Sequence, residues 1–302
     1  YSAPLSTIAT CGAGTGQVIS LHAQTLSLML VVVTVTTSAL LLLAWLQNRE
    51  VSSLGWWAFG NLIAAVAMPL FGLRGVAPPF VSIDLANLVL IMSFALMWAG
   101  FRRFAGGSVS LIGLLSPALF WMALCRWDVF YASVEWRVVV CSTIIAGYSL
   151  ASAFELYRVA GERLWSRYLA ICWLLIHAAF FGARIPLTLF TSPPGTNDVV
   201  ASPWFWILTF EGVLNVVALS FLQIAMIRER AENHQREAAL TDLLTNAPNR
   251  RALFLEGARL LARSQIHAQQ LCALLIDIDH FKAINDRFGH DGGDAILIGV
   301  AN

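Results

Sequence analysis

Lysine is absent from the first 227 residues, and that stretch holds only 10 arginines and 8 acidic side chains. So thin a charge supply excludes a soluble domain, which has to cover its surface with ionic groups. The five cysteines (Cys11, Cys125, Cys141, Cys172 and Cys272) follow no regular spacing. That excludes a zinc or disulfide framework and leaves small buried thiols as the expectation. Residues 1–24 lack a basic n-region, so they read as a loose outer tail, not a signal peptide. What is abundant is apolar: 58% of the 302 residues are hydrophobic, 11 are Trp, and the mean hydropathy is +0.70. The chain begins at Tyr1 and stops at Asn302 inside a helical pattern, so both ends are expected to be truncated.

Crossing a hydrocarbon core takes about 20 mostly apolar helical residues, because backbone polar groups in lipid must be satisfied internally. Seven stretches qualify, at roughly 26–46, 54–73, 84–101, 109–125, 138–154, 168–190 and 204–227. With odd-numbered loops on the cytoplasmic side, that side holds Arg49, Arg102, Arg103, Arg158, Arg163 and Arg167, joined by Arg228, Arg230 and Arg236. The opposite side holds Arg74, Arg126, Arg137 and Arg184. The bias places the N-terminus outside and the C-terminus in the cytoplasm. The organisation is then an outer tail (1–25), a seven-helix transmembrane sensory domain (26–227), a connecting signalling helix (228–241) and a C-terminal segment (242–302) in which the charge rises sharply.

Counting depth along the spans sets Arg184 level with Glu211, which suggests an ion pair, while His177 and Asn215 fall deeper. Arg74 and Asp84 add charge near the outer ends, so an outward-facing polar pocket for a ligand would form there; the plainer reading is a structural ion pair and a hydrogen-bonded core histidine. Trp204 and Trp206 read as interface anchors, and Ser192 to Asn197 as a surface connection. Residues 227–240 contain neither Gly nor Pro and should stay helical, with an i,i+4 pair between Glu232 and Arg236.

The C-terminal segment carries the chemistry. Pro248-Asn249 signals a turn and helix cap before a helix with Phe254, Ala258 and Leu261 on one face. Leu271 to Ile276 reads as a buried strand ending in Asp277-Ile278-Asp279, where alternation sets the two carboxylates on one face, suited to a hard cation. Asp279 would cap the next helix, whose free N–H groups favour phosphate. A second turn, Gly289 to Asp294, precedes an apolar helix with Ile296, Leu297 and Val300. Physics alone makes this a metal and phosphate candidate.

The stretch Asp242-Leu243-Leu244-Thr245-Asn246-Ala247-Pro248-Asn249-Arg250-Arg251 resembles the opening motif of GGDEF domains, and Asp277 to Asp294 is similar to the family core almost without gaps. The resemblance covers about 60 residues, the first third to half of such a domain. It implies an α/β fold, nucleotidyl-cyclase-like and ferredoxin-like, following the α-helical bundle. It also implies a diguanylate cyclase of the bacterial inner membrane that condenses two GTP into cyclic di-GMP as a homodimer through this domain, with no nucleic-acid partner. Asp277 would hold Mg²⁺ or Mn²⁺ by its side chain and Ile278 by its carbonyl; Asn285 and Asp294 would bind guanine, with His290 nearby and Phe281 and Lys282 along the phosphates. Asn246 and Ala247 depart from the family's Gly and Leu. Gly292-Gly293-Asp294 matches the signature in letters only, so the stretch by itself is expected to be inactive. The alternatives are a degenerate GTP-binding regulatory module, with or without a following phosphodiesterase domain, and a non-catalytic membrane receptor.

Overall fold

The structure, a computed structural model, describes residues 13–159, 162, 164–191 and 203–301, the side chains of 13–24, 191, 203 and 204 excepted. Expectations for Cys11, Arg163, the 192–197 loop and the Trp204 side chain therefore lie outside the described residues. The chain divides into two compact units, Tyr1–Ile227 and Arg228–Asn302.

In the first unit the helices are α1 (Ala13–Gln47), α2 (Ser52–Gly72), α3 (Ala86–Phe104), α4 (Leu111–Leu124), a short α5 (Asp128–Ala132), α6 (Val134–Tyr157), α7 (Trp165–Thr191) and α8 (Pro203–Ala238), the last continuing into the second unit. Their boundaries follow from capping chemistry. Ser110 accepts from Gly113 N at the start of α4, and Ser133 accepts from Trp136 N at the start of α6. Six of the helices are long and apolar enough to cross a membrane. The expectation of seven full spans is corrected at α4, whose 14 residues reach about 21 Å against a core of about 30 Å. Even so, α4 carries the chain from beside Trp98 in α3 back to Asp84, whose carbonyl accepts from Trp121 Nε1 at 3.2 Å.

Close approach of helices α2 and α3 depends on a small residue: a Cβ on Gly100 would run into the Trp57 indole, which packs at 5.1 Å on Phe101. Trp57, Phe101, Leu156, Leu164 and Met226 build one apolar cluster, and Trp98, Trp121, Ile145 and Phe181 another. An ion pair, Arg102 Nη1 to Glu155 Oε1 at 2.5 Å, joins the ends of α3 and α6. In the helical turn Phe80–Leu85 that precedes α3, Asp84 pairs with Arg126 at 2.9 Å. Cys125 and Cys141 are buried as expected, whereas Cys172 and Cys272 are exposed.

The second unit contains α9 (Arg250–His267) and α10 (Phe281–Ala301), the latter broken at Gly289, whose φ of 75° and ψ of 175° leave the helical region. Here the expected α/β fold is overturned. No strand occurs among the described residues, and Leu271 to Ile278 has no regular structure. The reason is physical: a strand needs a partner for its backbone hydrogen bonds, and this segment offers a single strand-forming run. Side chains from Leu271 to Asp277 stay exposed, Leu275 at 97%.

Candidate nucleotide site

The loop between α8 and α9 is held by two side chains. Asp242 Oδ1 accepts from Leu244 N at 3.1 Å, Thr245 N at 3.0 Å and the Thr245 hydroxyl at 3.0 Å. These donors hold its carboxyl below the usual carboxylate value, the Thr245 backbone N–H contributing most. Asn249 caps α9 by accepting from Ala252 N at 3.1 Å, as its position after Pro248 suggested, and its amide donates to the Ala239 and Thr241 carbonyls. Asn246 has a φ of 57°. That left-handed conformation suits glycine best and asparagine next, so the departure from the family's Gly at this position is absorbed locally.

Along the core motif, Asp277 and Asp279 are exposed and Ile278 is half-buried. No hydrogen bond ties Asp279 to α10 among the described residues. The first turn is closed instead by the His280 carbonyl, which accepts from Ala283 N at 2.9 Å, with His280 itself at a φ of 58°. The expected cap at Asp279 is thereby replaced. Phe281, Lys282 and Asn285 lie on the first half of α10, and His290 and Asp294 on the second. The turn between the halves is Gly289 alone, so Gly292-Gly293-Asp294 is helical. Folding at Gly289 brings Asn285 against Gly293, which is buried; a Cβ there would overlap the Asn285 amide oxygen and approach Phe281 Cζ to 3.2 Å. Asn285 is thus set beside the residue preceding Asp294, while His290 and Lys282 stay exposed.

Among the described residues no group of three or more His, Cys, Asp or Glu is arranged to hold a metal. Asp277 offers an exposed carboxylate, with the Ile278 carbonyl next to it in sequence and a second exposed carboxylate at Asp279. That set suits magnesium, which keeps its waters and takes one or two carboxylates together with substrate phosphates, rather than an ion that needs a protein cage.

Residues 239–302 match the family model described as the GGDEF domain of diguanylate cyclases. The match is to that domain alone and lies within the last 64 residues. The GGDEF segment is 48% identical over 65 residues to the response regulator PleD of Caulobacter vibrioides, covering 22% of this chain and 14% of that protein. It is 49% identical over 63 residues to the diguanylate cyclase DgcP of Pseudomonas aeruginosa, 21% of this chain and 9% of that one. A diguanylate cyclase of Vibrio cholerae is 46% identical over 65 residues, 22% of this chain and 20% of its own length. The chain therefore spans a fifth or less of these curated relatives. No solved structure matches it.

In the first unit, the partner expected for Glu211 is replaced. Glu211 Oε1 lies 2.6 Å from His177 Nδ1, not at Arg184. Asn215 Oδ1 accepts from Trp173 Nε1 at 3.0 Å. These two contacts fix the α7–α8 register and place Arg184 two turns, about 10 Å, from the Glu211 level. Depth counted from uncertain span ends could not resolve that difference. Arg137, counted from the sequence only for orientation, lies in the first turn of α6 immediately before an apolar run.

Proposed function

We propose that the chain is the membrane-sensing and leading catalytic portion of a diguanylate cyclase, which condenses two GTP into cyclic di-GMP under control of the helical bundle. The observation that carries this reading is the uninterrupted Asp277 to Asp294 motif within a segment nearly half identical to named diguanylate cyclases. In this reading Asp277, with the Ile278 carbonyl, holds Mg²⁺ or Mn²⁺, which when bound offsets charge on the α-phosphate. Asn285 and Asp294 hydrogen-bond the guanine edge, with His290 at the same nucleotide. Phe281 and Lys282 run along the phosphates, Lys282 as a point charge on phosphate oxygens. Each of two domains presents one GTP, so the working unit is a homodimer. Gly289 and Gly293 let the two halves of α10 close around Asn285, which orients its amide.

The apolar helices are candidate membrane spans, and the arginine bias supports an inner-membrane protein with its N-terminus outside and the GGDEF segment in the cytoplasm. The Gly-Gly-Asp at 292–294 is helical, so the signature loop is not supplied by these residues, and the 302-residue chain alone should not turn GTP over. The test is product formation from GTP and Mg²⁺ by the full-length protein. Absence of cyclic di-GMP alongside retained GTP binding would favour the regulatory-module reading.

A further inference from the structure

The first unit holds a partly open cavity of about 270 Å³, close to the lower end of the ~300–1,000 Å³ usual for small-molecule pockets. Its wall is mostly aliphatic and aromatic, with Leu90, Phe94, Met97 and Phe181 among the contributors. Against that wall stand three arginines, Arg74, Arg137 and Arg184, and one carboxylate, Glu211. All three cations sit toward one end of the bundle. Arg74 follows α2, Arg137 lies in the first turn of α6, and Arg184 is two turns before the end of α7.

Their bonding is incomplete. Arg137 is 9% exposed; its Nε donates to the Ser133 carbonyl at 3.1 Å and its guanidinium lies 5.8 Å from the Tyr131 ring, yet its Nη1 is buried with no partner. Arg74 and Arg184 make no ion pair or side-chain hydrogen bond among the described residues. Glu211 is engaged by His177, which is 3% exposed and stacked on Phe94. The other ring nitrogen of His177, Nε2, is likewise buried and unpartnered. Buried polar groups nearly always find partners. Holding cations beside an apolar hole costs solvation, and Arg74 and Arg137 are near enough to feel each other's charge, with Asp84 and Glu135 near enough to Arg137 to offset part of it. Packing offers no return for that arrangement, whereas an anion seated among the arginines does. Burial also lowers the pKa of Arg74, a sign of a poorly solvated cation.

We propose that this cavity binds a small organic anion with a carboxylate-like head on an apolar body, the head received by Arg137 with Arg74 and Arg184, and the body lying along Phe94, Met97 and Phe181. His177 Nε2 supplies a further polar contact. Such an occupant bridges α2, α3, α6, α7 and α8, and its arrival would change the packing of α8, the helix that continues into the GGDEF segment. The head chemistry is shared by a free fatty acid and an anionic lipid.

The test uses the chain in phosphatidylcholine nanodiscs and isothermal titration with decanoate, with empty nanodiscs as the blank and decanol and decyltrimethylammonium as head-group controls. Saturable decanoate binding is expected, with decanol at least tenfold weaker and the cation not bound. Arg137→Gln and Arg184→Gln should each weaken decanoate tenfold or more and leave decanol unchanged. Arg184, which holds no structural bond among the described residues, keeps the test open if Arg137→Gln does not fold by circular dichroism. Competition by phosphatidylglycerol nanodiscs would assign the site to a lipid head, and undiminished decanoate binding there would assign it to a free acid. Equal affinity for decanol and decanoate, no saturable binding, or unchanged binding in a folded Arg184→Gln would overturn the proposal. Because the readout is binding, that failure would leave the cyclase reading untouched.

Discussion

Replacing Gly293 by alanine sets two effects of known size against each other. In a helix interior, alanine is favoured over glycine by about 1 kcal/mol. At this position, however, the new methyl would occupy the place of the Asn285 amide oxygen and press on Phe281 Cζ. Forcing an extra carbon into a filled site costs about 1–3 kcal/mol, so the net effect is a loss of about 0–2 kcal/mol together with a displaced Asn285. Gly299 in the same helix provides the internal control: a Cβ there meets nothing within 4 Å, and Gly299→Ala should keep its propensity gain of about 1 kcal/mol. The two alanine variants should therefore differ by about 1–3 kcal/mol in the local opening of α10. At 1.4 kcal/mol per tenfold, that is roughly fivefold to a hundredfold in exchange rate. Hydrogen–deuterium exchange of peptides spanning Phe281–Ala301 measures it directly. If Gly293→Ala exchanged as slowly as Gly299→Ala, the contact between the two halves of α10 would not exist and the placing of Asn285 would lose its support.

Two further outcomes follow from other parts of the chain. Glu155→Ala leaves Arg102 without its carboxylate between α3 and α6; since Arg102 is 29% exposed and also bonds the Ser108 carbonyl, the loss should be about 1–3 kcal/mol, below the ~3–5 kcal/mol of a fully buried pair. An unshifted thermal unfolding midpoint in detergent would contradict it. The Asp242 carboxyl has a folded pKa below its ordinary value of 3.8 because Thr245 and Leu244 donate to it. The charged form therefore favours the folded loop above pH 3.8, and that contribution disappears as pH falls through the lower folded value. A carboxyl-carbon NMR titration with a midpoint at or above 3.8 would refute this.

Long apolar runs with helical length were legible from composition alone, because lipid leaves helices as the one economical way to satisfy the backbone. The Asn249 cap and the Glu232–Arg236 pair, 4.0 Å apart, were legible for a similar reason: both depend on neighbours within one turn of chain. What failed was whatever depended on distant partners. Glu211 found His177 and not Arg184 because two turns of register separate the candidates, and register is set by packing across helices. Leu271 to Ile276 has strand-like residues but no second strand to meet among the described residues, so its pattern produced no sheet there. The break in α10 was foreseen as a turn from Gly289 to Asp294, yet the chain needs one left-handed glycine, and Gly292 and Gly293 are free to join the second helix. Arg137 was counted for orientation alone, because that is what a single cation near a span end ordinarily serves.

A divalent ion held by Asp277 at a GTP site is the proposal on which the cyclase reading rests. Its most direct test is to incubate the purified full-length protein and its Asp277→Ala variant with GTP and Mg²⁺ and to quantify cyclic di-GMP by liquid chromatography and mass spectrometry. The native protein should form it and the variant should form none while still folding. Equal product from both would contradict the metal assignment.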